Sequence, residues 1–285
     1  MAENMKKYLF ILSFFILLTG TASGQGHIMT RKYRLSDFTD KITKVVLSGN
    51  EMSDGAFRQS VMDRWTLSPF EFCTAADFKK LMKSADHYFL VVSEGKDGEG
   101  DGAGIRFLSL YKGGAAELND LMLVISIPVG NTAGVTGREL VFMPAFVDIV
   151  QDYTREAMEK EVNGYTSLTR YNANYRKDGK IKRICFAEGD IAPAVNEPFR
   201  EKNMDADMMI LPSDEADKNL LDGTFNTLVS YTVFPETPEN GSVGYLMLIE
   251  ADTHSLYYYR KQKVSRTETA GFLPSDIKTL GRGRK

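Results

Sequence analysis

Residue types that do chemistry are few in this sequence and lie far apart. Asp97-Gly98-Glu99-Gly100-Asp101-Gly102 sets carboxylates at alternate positions and then a glycine. That is how a calcium loop opens, with alternate oxygens turned inward and glycine permitting the bend. An EF-hand needs a bidentate glutamate at the twelfth position, which here is Leu108 inside an apolar run. The plainer reading of the same stretch is a flexible hairpin tip between two strands. Asp97, Glu99 and Asp101 are the metal candidates, since two cysteines and three widely separated histidines give no zinc-ligand spacing.

Asp252-Thr253-His254 offers an acid and an imidazole for a hydrolase triad, which also needs a positioned nucleophile. The chain has no G-x-S-x-G, and Asp-Thr-His also closes a β-turn by side-chain to backbone bonds. Gly134, Gly137, Arg138 and Glu139 precede a long helical pattern. A helix start can hold an anion on its free N–H groups, with Arg138 assisting; the plainer reading is a linker and a capped helix. With neither a Walker lysine nor G-x-G-x-x-G, no catalytic residue and no cofactor is expected. Tyr257, Tyr258, Tyr259, Arg260 and Lys261 form an aromatic and basic strand. Alternation puts Tyr258 and Arg260 on one face and Tyr257, Tyr259 and Lys261 on the other. Such residues furnish contact surfaces, and these five are the expected binding surface.

The elements that must hold these residues read as two similar runs. Lys44–Leu47 is a strand; Phe57, Val61 and Trp65, with Met62 beside them, make a helix face after the turn Ser53-Asp54-Gly55. Phe70–Cys73, a helix capped by Thr74, His87–Val92 and Ile105–Tyr111 follow. Leu118–Pro128 suits a buried strand or a short helix. The longest helix spans Met143–Val162, with Pro144 in its first turn. The second run has strands at 180–186, 207–211, 227–234, 243–250 and 255–264, and helices near 198–202, at 213–221 and from Pro274. The expected fold is α/β (α+β): two related strand-helix-strand-helix-meander units with mixed sheets, joined by a long helix. The expected divisions are a first unit at 41–117, a linker and long helix at 118–170, and a second unit at 171–285. The second unit carries an extra strand, and the long helix belongs to neither.

The amino end reads as a secretory signal peptide over 1–24: Lys6-Lys7, apolar Tyr8–Leu18, then small residues up to Gly24. The apolar run is too short to span a bilayer, and no cysteine lies near the cut to carry a lipid. Export to the periplasm or beyond is expected, as a soluble, non-lipidated protein with no integral membrane segment after cleavage. Residues 25–40 are polar and expected to be poorly ordered. A net charge of −3 offers no bulk attraction for nucleic acid. Arg282, Arg284 and Lys285 read as a solvated basic end. Cys73 and Cys185 suit either a disulfide or two buried thiols.

The element order carried by KVVL, FRQSVMDRW, FEFCT, DFKKLM, HYFLVV and IRFLSLY, met again in the second half, resembles the amino-terminal domain of TolB and the α/β domain of CsgG-type envelope proteins. That resemblance implies a module that binds other envelope proteins. RWTLSPFEFCTAADF, YFLVVSEG, GRELVFMPAFVDIVQDY, ADTHSLYYYRKQKVS and GFLPSDIKTL are similar to an uncharacterised family of exported Bacteroidetes proteins, which implies compartment and lineage alone. The expected function is a non-enzymatic periplasmic or envelope protein acting as a protein-binding or assembly module. The alternatives are an exported hydrolase with a site near Asp252 and His254, or a glycan- or calcium-binding module using the acidic loop.

Overall fold

The structure, a computed structural model, describes residues 35–95 and 103–284. The signal-peptide segment and the calcium candidates Asp97, Glu99 and Asp101 lie outside the described residues. The first run is β1 (Ile42–Leu47), α1 (Glu51–Arg64), β2 (Phe70–Thr74), α2 (Ala75–Leu81), β3 (His87–Glu94), β4 (Ile105–Lys112), β5 (Met122–Asn131) and α3 (Gly137–Glu159). After a short α4 (Asn172–Lys177) the order repeats. It runs through β6 (Arg183–Ala187), α5 (Glu197–Asn203), β7 (Met208–Leu211), α6 (Ser213–Leu221), β8 (Thr227–Val233), β9 (Val243–Glu250), β10 (Leu256–Lys263) and α7 (Pro274–Gly281).

The two sheets have one topology. Strand order is β2-β1-β3-β4-β5 in the first and β7-β6-β8-β9-β10 in the second. In each, the first three strands in sequence are parallel and the last two antiparallel. The extra strand expected in the second half is not there: Leu118–Asp120 is a 3-10 turn and Met122–Asn131 is the first sheet's own fifth strand. The long helix is likewise not an outsider. It follows β5 as α7 follows β10, and packs on α1 as α7 packs on α5.

Side-chain alternation builds the layers. Val45 and Leu47 face a large core with α1 and α3, while Val46 faces α2 with Phe89 and Val91. In the second sheet Val229, Tyr231, Tyr245, Met247 and Ile249 join that same large core, and Leu228, Leu246 and Leu248 face α5 and α7. One core therefore serves the inner faces of both sheets. Residues 35–40, expected to be poorly ordered, belong to it: Leu35 and Phe38 are buried, and Phe38 meets the Tyr88 ring edge-on at 4.5 Å.

Helix boundaries also depart from the pattern at two points. Asn50, whose carboxamide accepts from Met52 N and Ser53 N, starts α1, so Ser53-Asp54-Gly55 lies within the helix and not before it. Met62, expected on the apolar face, is exposed. Thr136 caps α3 through Glu139 N, which puts Pro144 inside the helix and not in its first turn. An interior proline costs about 3 kcal/mol. Burial of Phe142, Met143, Phe146, Val147 and Val150 offsets it.

Candidate functional site

In an open α/β sheet, ligands bind beyond the carboxyl ends of parallel strands, where the chain order reverses. Each sheet here has one such place, between β1 and β3 and between β6 and β8. Neighbouring residues at the start of α3 fill both. Glu139 turns to the first sheet, where Arg106 Nη1 and Nη2 donate to its two carboxylate oxygens at 2.9 and 2.5 Å. Arg106 also donates to Asn131 O and Gly134 O. Burial pushes the Glu139 carboxyl up, and the Arg106 guanidinium opposes it. A cavity of only about 80 Å³ remains beside the pair, reaching Ser48, Asp54 and Phe57.

Arg138 turns to the second sheet. Its Nε donates to both oxygens of Asp217 at 2.9 Å, its Nη1 to Asp190 Oδ1 at 2.9 Å, and its Nη2 to Ser230 O at 2.9 Å. Asp190 also accepts from the hydroxyls of Ser230 (2.6 Å) and Thr232 (2.7 Å). The guanidinium lies over the rings of Phe142 and Tyr231. Burial pushes the Asp217 carboxyl up, against the pull of Arg138. Arg138 is thus spent on two internal carboxylates, in keeping with the plainer reading of this helix start as a linker and a capped helix.

The Asp252–His254 pair is not formed. His254 Nδ1 stands 2.7 Å from Asp148 Oδ2 on α3, and Arg64 Nη1 reaches the same oxygen at 3.5 Å. Asp252 is exposed. Among the described residues, Asp148 is the hydrogen-bonding partner of the His254 side chain. His254 has φ +58°, a left-handed backbone that closes the β9–β10 turn.

The expected binding strand is internal. Tyr257, Tyr258 and Tyr259 are 7%, 8% and 9% exposed. Tyr258 Oη donates to Asp276 Oδ1 at 2.9 Å, and Arg260 pairs with the same carboxylate. Asn172 holds the backbone of Tyr259 from α4. These residues therefore do not present an open contact surface; Lys261 is half-buried with them. Alternation groups Tyr257 with Tyr259, but a β-bulge between Leu256 and Tyr258 puts Tyr257 with Tyr258 in the core under α4 and α7 and leaves Tyr259 in the large core, so both faces are covered. Arg284 is also inside the fold and not in a solvated tail. Its Nη2 donates to Lys182 O at 2.7 Å and its Nε to Asp205 at 2.9 Å. Cys73 on β2 and Cys185 on β6 are free thiols in different sheets. Burial pushes both up.

The chain matches no protein-family model, and comparison with curated proteins and with solved structures finds no match. No helix among the described residues is long and apolar enough to cross a membrane.

What the sequence reading missed lies at the amino ends of β6 and β8. Ile181, Leu221 and Phe225 are 77%, 66% and 83% exposed. Their turns are stitched together by Asn226, itself at φ +55°. Asn226 Nδ2 donates to Ile181 O at 3.2 Å, and Arg183 N donates to Asn226 O at 3.0 Å. The only signal in the sequence was one phenylalanine in a polar loop, DGTFN.

Proposed function

We propose that this is a non-enzymatic, exported binding module that engages an envelope protein through the apolar end of its second sheet. The observation that carries this reading is the exposure of Phe225, Ile181 and Leu221 on turns held by Asn226. A large aromatic side chain on a pre-ordered turn loses little conformational freedom on contact, which is the character of an interface anchor. The sites where an α/β sheet would take a substrate are closed by Arg106–Glu139 and by Arg138 with Asp190 and Asp217. The element order strand–helix–strand–helix–strand–strand, met twice, is the order on which the likeness to TolB and CsgG-type domains rests, and it supports the same reading.

The test is a photo-crosslinking amino acid at position 225 in the protein's own host. One discrete adduct to another exported protein, absent when the crosslinker sits at exposed Met52 and lost with Leu221→Asp, is expected. No adduct, or an adduct only to a second copy that sediments as a dimer, would overturn the proposal.

A further inference from the structure

A cavity of about 260 Å³ lies among α4, β10 and the end of α7. Its inner wall includes Tyr175, Tyr258 and Leu280, all buried. Its other lining side chains include three cations, Arg176, Lys180 and Arg282. Among the described residues none of the three meets a carboxylate, in contrast to Arg106, Arg138, Arg170, Lys182, Arg260 and Arg284, each of which does.

The neutral polar groups here are already used. Tyr175 Oη donates to Leu280 O at 2.6 Å and Tyr258 Oη to Asp276. The Asn172 carboxamide both donates to and accepts from the Tyr259 backbone, and Thr279 Oγ1 donates to Ser275 O. The tyrosine hydroxyl protons are therefore spent inside the fold, and what these residues offer an occupant is mainly ring surface. Among the described residues, the three cations are the charged groups at this cavity that have no carboxylate partner. A sugar or a peptide would need many neutral donors and acceptors, and those lining this cavity are largely engaged within the fold. An apolar body carrying one anionic group would meet rings and aliphatic carbon inside and guanidinium or ammonium at the rim. At about 260 Å³ the volume falls just below the usual range of ligand sites, about 300–1,000 Å³, and so suits only a small molecule. Three cations left unbalanced at one place, on a chain with a net charge of −3, are also where an anion would be drawn.

From this geometry we infer a binding site for a small amphipathic anion: an aromatic or aliphatic body with one carboxylate, phosphate or sulfonate, held by Arg176, Lys180 and Arg282 over Tyr175 and Tyr258. Its lining residues are not those of the apolar end around Phe225, although Lys180 and Ile181 share one turn.

Calorimetric titration of the full chain with 3-phenylpropionate, its neutral amide and inorganic phosphate tests it. The expected result is saturable binding of 3-phenylpropionate, at least tenfold weaker binding of the amide and of phosphate, and weakening with added salt. Arg176→Gln with Arg282→Gln should lower affinity at least tenfold with an unchanged melting temperature, because neither residue has an internal partner to lose. Thr279→Trp, at an exposed lining position, should block the site. Absence of saturable binding would overturn the assignment. So would equal affinity for the acid and the amide, or phosphate binding as tight as the acid, the last marking a simple surface anion site.

Discussion

His254 Nδ1 and Asp148 Oδ2 stand 2.7 Å apart although 106 residues separate them in the chain. The bond ties the β9–β10 turn of the second sheet to the middle of α3, which packs on the first. Arg138 makes a similar tie near the start of that helix. Between them Tyr231 packs on Phe142 and Phe146, with ring centroids 4.4 and 5.2 Å away, and its hydroxyl donates to Val129 O. One helix joins the halves by polar side-chain contacts at two levels and by aromatic packing between them.

The His254 tie has two separable parts, the left-handed backbone and the bond to Asp148. His254→Asn keeps a side chain that tolerates φ near +58° and loses most of the reach to Asp148. His254→Ala loses both. Urea unfolding should show a loss of about 1 kcal/mol for the asparagine variant and about 2–3 kcal/mol for alanine, where backbone strain adds to the lost bond. Equal effects would mean the backbone contributes nothing.

Arg138→Met should be among the most destabilising single changes in the chain. It leaves Asp190 and Asp217 buried without their cation, at a cost of about 3–5 kcal/mol. Arg138→Lys should recover only part of this, because one ammonium cannot reproduce the fork that meets both acids. Denaturant midpoints with unchanged slopes would establish the comparison.

Pro144→Ala should raise stability. Alanine restores an N–H to the helix interior and removes the ring clash, for a gain of about 1–3 kcal/mol less the greater freedom of the unfolded chain. A lower melting temperature would show that neighbouring side chains depend on the proline ring.

Asp37 sets a pH dependence with a definite sign. Burial pushes its carboxyl up, but hydrogen bonds from Lys41, Tyr88 and Lys112 outweigh that and hold it at about 2, against an ordinary 3.8. The group is lowered in the folded state, so its stabilising contribution is present above pH 3.8 and is lost as pH falls through about 2. Carboxyl NMR should place the Asp37 midpoint near 2. Asp37→Asn should narrow the stability difference between neutral and acid pH. A midpoint near 3.8 would remove this explanation of acid sensitivity.

Local elements were legible because local forces set them. Thr74 caps α2, Pro274 starts α7, and the alternating runs at 227–234, 243–250 and 255–264 become β8, β9 and β10 within a residue or two. The repeat of strand, helix, strand, helix and meander followed from those periods alone, and with it the α/β class. The sequence could not say what each face would meet. Period-two alternation groups Tyr257 with Tyr259, yet a β-bulge turns Tyr257 to the side of Tyr258, and whether that side is covered depends on α4 and α7, brought there by the chain's return. The same holds for charge. Arg138 and His254 each have an acidic residue close by in sequence, Glu139 and Asp252, but adjacent side chains on a helix point apart, and in the β9–β10 turn His254 points inward while Asp252 is exposed. Tertiary packing gave Arg138 to Asp190 and Asp217, gave His254 to Asp148, and left Phe225 in water. Burial makes an unpaired charge far costlier than an exposed one, so the partner of a buried ion is decided by which groups the folded chain brings together, and spacing along the chain does not record that.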